Sequence, residues 1–97
     1  MVNLWLCVGP NSDEARREGQ GVLEAYHLRP FDDETIDRWL LYGSPEACAA
    51  RVAEYILAGA NTFQFVIAAY DHEKQIRALA ERVLPLVPDL VRAGTPR

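Results

Sequence analysis

Clustered positive charge is what this sequence most plainly lacks. Lys74 is its single lysine, nine arginines are scattered among 14 acidic residues, and the formal net charge is −4 with an isoelectric point near 5.0. Phosphate backbones are bound by basic faces, so nucleic acid is not expected as a partner. Cysteine is nearly absent: Cys7 and Cys48 have no metal-ligand spacing and no neighbouring histidine. Both lie in apolar patterns and read as buried, reduced thiols that pack as small hydrophobes. No run approaches the roughly 18 apolar residues of a membrane span, so no membrane partner is expected. Met1 to Val8 places no basic leader ahead of its apolar run, and no secretory signal is expected. By elimination, the expected address is the cytoplasm.

What is present suffices for a core. Of 97 residues, 49% are hydrophobic, an ordinary share for one modest globular unit. Residues 1–92 are expected to form a single segment and 93–97 a disordered tail. Leu4-Trp5-Leu6-Cys7-Val8 is a continuous apolar run stopped by Gly9-Pro10-Asn11. It predicts a strand buried on both faces, as in a parallel sheet covered by helices. Asn11 or Ser12 caps the helix that follows, with Asp13 and Glu14 in its first turn and Ala15, Gly19, Val22, Leu23 and Tyr26 at helical spacing. Gly19 and Gly21 weaken that helix, which therefore depends on packing; glycine there also lets another backbone approach closely.

His27 to Asp33 reads as an extended connector and Glu34 to Arg38 as a short turn of helix. The pattern assigns no state to the apolar patch Trp39 to Tyr42. Ser44-Pro45-Glu46 is the clearest helix start, its apolar stripe is Cys48, Val52, Tyr55 and Ile56, and Gly59 closes it. Asn61 to Ala69 predicts a second strand, with Phe63, Phe65 and Ile67 on one face and Thr62, Gln64 and Val66 on the other. Asp71 caps a last helix with Ile76, Leu79, Ala80, Val83 and Leu84 on one face, ended by Pro85 and Pro88.

The expected architecture is α/β, with two parallel strands joined by a long helical crossover of right-handed sense. Two short parallel strands leave unpaired edges and are not a stable sheet. The edges need partners, either further strands of a larger fold or a second copy of the chain.

Several motifs occur together in order. Gly43-Ser44-Pro45-Glu46 is followed by Ala49 to Tyr55, by Ala58-Gly59-Ala60-Asn61 with the strand Phe63 to Ile67, and by the ending Leu79-Ala80-Glu81-Arg82-Val83-Leu84-Pro85. Upstream, Leu4 to Val8 precedes Ser12-Asp13-Glu14-Ala15-Arg16. This series resembles the C-terminal part of the luciferase-like monooxygenases, including their deazaflavin-dependent relatives. The resemblance spans nearly all of this chain but only about the last quarter to third of a family member. It implies a βα…αβα fragment equivalent to the last two strands and helices of a (β/α)8 TIM barrel. The implied function is a partial flavin-dependent oxidoreductase or monooxygenase segment, inactive until the remaining barrel segment completes it. The implied cofactor is FMN or a deazaflavin, held in that family mainly by strands that this chain lacks. The alternative is a small, self-associating, non-catalytic binding or scaffolding module.

Barrel active sites form at the C-terminal ends of the strands. The resemblance therefore directs attention to Gly9, Pro10 and Asn11 after the first strand and to Tyr70, Asp71 and His72 after the second. Gly9, Asn11 and Tyr70 are the cofactor-binding candidates. Asp71 and His72 are the catalytic candidates, as an acid–base pair; the structural reading makes Asp71 a helix cap and His72 an exposed first-turn residue. His27 reads as decoration of a helix C-terminus. Asp32, Asp33, Glu34 and Asp37 lack ordered ligand spacing and read as a solvated helix start rather than a cation site. Gly19-Gln20-Gly21 has no preceding strand and is no phosphate loop. Trp5, Phe31, Trp39 and Tyr42 are assigned to packing before flavin stacking.

Overall fold

The computed structural model describes residues 2–94. The chain runs β1 (Val2–Val8), α1 (Ser12–His27), α2 (Asp33–Trp39), β2 (Leu40–Gly43), α3 (Pro45–Leu57), β3 (Phe63–Ile67) and α4 (His72–Ala78). It then stays helical through a π-helical turn (Leu79–Val83) and a 3-10 turn (Leu84–Leu86) into α5 (Val87–Gly94). The three strands form one parallel sheet in the order β2-β1-β3. The expected β1–β3 pairing is present, with Val2 opposite Phe63 and Leu6 opposite Ile67.

β2 is the strand that the sequence pattern left unassigned. Leu40-Leu41-Tyr42 is followed by Gly43-Ser44-Pro45, which repeats in miniature the apolar run and Gly-Pro stop of β1. Four residues are too few for periodicity to speak, and α2 runs straight into the strand. Leu40 and Leu41 are fully buried and lie in different core clusters, one on each face of the sheet.

β1 sits in the middle because both of its faces are apolar. Leu4, Leu6 and Val8 pack with Cys48, Ala49 and Val52 of α3 and with Val83 and Val87. On the opposite face Cys7 packs with Ala15 and Leu23 of α1, Ile36 of α2 and Phe31. The connection through α1 moves one way across the sheet and the one through α3 moves back over β1. Right-handed crossovers in opposite directions put their helices on opposite faces, which is the division the two clusters record. A (β/α)8 barrel lays consecutive strands side by side with every helix outside. Here the first strand is central and the sheet is open and covered on both sides. The parallel α/β architecture is as expected, with three strands instead of two.

The helix ends follow local chemistry. Asn11, not Ser12, caps α1, its side chain accepting from Glu14 N–H at 2.9 Å. Ser44 caps α3 with proline in the first turn. Gly59 has φ +110°, its N–H bonds to Ile56 C=O and that of Ala60 to Tyr55 C=O, which closes α3 as a Schellman motif.

The last helix differs from expectation. Ile76 is 57% exposed and Leu84 43% exposed, while Val83 is buried and so is the polar Gln75. Pro85 and Pro88 do not end it, because each falls at the start of a fresh helical segment, where a missing N–H costs no intrahelical bond. Ala93 and Gly94, expected in a tail, lie within α5; the rest of that tail, residues 95–97, is outside the described residues.

Cys7 and Cys48 are fully buried and free. Burial pushes their thiols up to about 11 and about 12 respectively. A raised folded pKa contributes stability in full below the unfolded value, about 8.5, and loses it as pH rises toward the folded value. Urea midpoints are therefore expected to fall between pH 8 and pH 10. A thiol reagent at pH 8 should react with both cysteines only after denaturant is added. Fast labelling of the native chain would contradict this burial.

Candidate functional site

All three parallel strands end on one side of the molecule, and the loops that leave them surround an open cleft of about 880 Å³. Open parallel sheets bind ligands at such C-terminal ends, where the strand order reverses. The reversal here lies between β1 and β3, because the chain leaves β1 toward β2 and returns past it.

The floor is set by Gln75. β3 stops opposite Leu6, and Ala68 N–H makes the last rung of that ladder to Leu6 C=O at 2.8 Å. Val8 therefore has an N–H and a C=O on the β3 side with no strand beside them. The Gln75 carboxamide fills the gap: its Oε1 accepts from Val8 N–H at 2.8 Å and its Nε2 donates to Val8 C=O at 2.8 Å. A side-chain amide thus extends the sheet by one peptide-like rung and ties α4 across the strand ends.

Charged groups line the walls. Glu18 Oε2 accepts from Tyr70 N–H at 3.1 Å, and Asp71 Oδ1 accepts from Lys74 N–H at 3.0 Å. Glu18 thereby holds loop backbone, and Asp71 caps α4. Glu46 stands in the first turn of α3. Lys74 and Arg82 also line the cleft and make no ion pair among the described residues. The arrangement can hold a polar, partly anionic molecule; it shows no nucleophile beside a base.

Of the sequence-derived candidates, Gly9, Pro10, Tyr70 and Asp71 line this cleft, whereas Asn11 and His72 do not. Asn11 is committed to its cap, and His72 is exposed at the first position of α4. Asp71 bonds to the helix backbone and not to His72, so the two do not form an oriented pair. Gln75, Lys74, Arg82 and Glu18 were not singled out. No local signal marks them, since each looks like any polar residue of an amphipathic helix.

The other candidates have structural work. His27 Nδ1 lies 2.9 Å from Leu23 C=O, and its ring is edge-on to Phe31 at 5.2 Å and to Trp5 at 5.6 Å. Phe31 and Trp39 join the same cluster at 5.5 Å. Tyr42 O–H donates to Asp37 at 2.8 Å, and burial, then Asp37, raises its pKa. In the acidic cluster, Asp32 caps α2 through Thr35 N–H, while Arg16 pairs with Asp33 at 2.8 Å and Asp37 at 3.7 Å. Among the described residues no helix is long and apolar enough to cross a membrane.

Compared with known proteins, the chain matches no protein-family model, and no solved structure matches it.

Proposed function

We propose that this chain is one segment of a luciferase-like, flavin- or deazaflavin-dependent oxidoreductase, supplying part of a cofactor crevice and acting only when further strands extend its sheet. The observation that carries this reading is the cleft at the C-terminal strand ends, with Lys74 and Arg82 among its lining residues. Barrels and open doubly wound sheets alike bind ligands at that end. The flavin chemistry is what the resemblance of the motif series from Gly43 to Pro85 implies. The Lys74 and Arg82 side chains would face a flavin phosphate, with the loop at Gly9 giving its backbone room.

Titration of FMN, and then of a deazaflavin, into the folded chain tests it. Flavin fluorescence is expected to change little with the chain alone and to saturate once a polypeptide bearing the missing strands is added. Absence of saturable binding in both samples would sink the reading.

A second reading, a self-associating, non-catalytic module, is favoured by a different observation. β3 is an open sheet edge without charge, and its Val66 is 38% exposed.

A further inference from the structure

The two edges of this sheet are protected unequally. β2 has four residues, and the Arg51 guanidinium lies along it, donating to Leu40 C=O at 2.9 Å and Asp37 C=O at 3.1 Å. A fixed cation and a short strand are the usual means of stopping edge-to-edge pairing. β3 has neither charge nor proline to stop it: none occurs anywhere from Asn61 to Tyr70.

The backbone of β3 is also half used. Val2 N–H bonds to Thr62 C=O and Ala68 N–H to Leu6 C=O. Alternation along the strand then turns the N–H and C=O of Phe63, Phe65 and Ile67 away from β1. None of these groups meets a partner among the described residues. The same three side chains are only half-buried against the α3 side of the core, and Gln64 and Val66 are exposed on the other face.

We infer that a second copy of this chain covers the edge, its β3 antiparallel to the first about a two-fold axis at Phe65. This deepens the self-association reading above and rests on it. A two-fold joint sets Phe65 against its own copy and every other residue against its mirror position, so edge charges of one sign would meet like charge across it. The uncharged run from Asn61 to Tyr70 leaves no such repulsion, and the net charge of −4 lies elsewhere. In the register centred on the axis, Phe65 exchanges both hydrogen bonds with the partner's Phe65, and Phe63 with the partner's Ile67. Gln64 then faces the partner's Val66 in the intervening non-bonded pair. The outward N–H and C=O groups are satisfied, and the half-buried Phe65 gains a cross-strand aromatic neighbour. Antiparallel addition to a parallel sheet is a common mixed arrangement.

Sedimentation velocity, with circular dichroism to establish folding, tests the joint. The chain is expected at twice its 10.9 kDa mass. The double substitution Gln64→Lys with Val66→Lys opposes lysines at both ends of the joint and should weaken dimerisation about tenfold or more. The double substitution to glutamate should do the same. Mixing the lysine and glutamate chains should restore a dimer, which neither misfolding nor a joint elsewhere could produce. Amides of Phe63, Phe65 and Ile67 should be protected from hydrogen exchange in the dimer and lose that protection in either charged variant. A folded monomer at high concentration overturns both the joint and the self-association reading. A dimer unmoved by either charged pair overturns the β3 joint alone. A monomer that binds flavin once a polypeptide bearing the missing strands is added would leave the oxidoreductase reading standing without this one.

Discussion

Replacing Gln75 by leucine is expected to destabilise the fold by about 3 kcal/mol, because two buried backbone groups lose their partners at once. Val8 belongs to the central strand and is 9% exposed, and Gln75 is 5% exposed, so water does not readily replace the amide. Leucine fills the volume, so the loss reports the hydrogen bonds and not a cavity. Urea unfolding with an unchanged denaturant slope is the measurement, and a loss below about 1 kcal/mol would show that solvent satisfies Val8. Gln75→Glu sharpens the test. Its carboxylate still accepts from Val8 N–H but cannot donate to Val8 C=O unless protonated. A buried glutamate has its folded pKa raised above the unfolded value of about 4.3, so its stability is retained below that value and lost as pH rises through the folded one. The glutamate variant should therefore lie closer to wild type at pH 4 than at pH 7.

Gly19→Val is the second substitution expected to cost about 3 kcal/mol. A Cβ at Gly19 would stand 2.6 and 2.9 Å from the two methyls of Leu40 and 3.2 Å from Cys7 Cβ. Leu40 and Cys7 are fully buried, so neither can swing into solvent to make room. Valine adds two further carbons to that contact and must push α1 away from β1 and β2. Gly19→Ala should be milder, because the clash is with side-chain ends and alanine recovers about 1 kcal/mol of helix propensity. Thermal melts of the pair are the check. Equal stability of the valine variant and wild type would mean that α1 is not seated on the sheet this closely.

These two positions divide differently between sequence and structure. A glycine in the middle of a helical pattern already announces close packing, and at Gly19 that expectation is met, although the close neighbours are the side chains of Leu40 and Cys7. Nothing local distinguishes Gln75 from Lys74 or Glu73. Its role exists only because β3 stops two residues short of β1 and α4 crosses the gap. The exposed Ile76 beside it is the converse case, since an apolar position in a helix pattern does not say whether a neighbour will arrive.

The sequence by itself determined the local elements that rest on near-neighbour chemistry. These are the doubly buried β1 with its Gly-Pro stop, the caps at Ser44 and Asp71, the glycine that closes α3, the alternation of β3, and the buried, unpaired cysteines. Each follows from side-chain period, φ restriction or a hydrogen bond within a few residues. Only the tertiary structure decided that Leu40 to Gly43 is a strand, that β1 lies between its two partners, and that Pro85 and Pro88 start segments instead of ending one. It alone decided which charged residues meet at the strand ends. Those outcomes depend on contacts between residues far apart in the chain, where burial against a distant element outweighs local preference. A four-residue strand or a lone glutamine carries too little local free energy to declare itself beforehand.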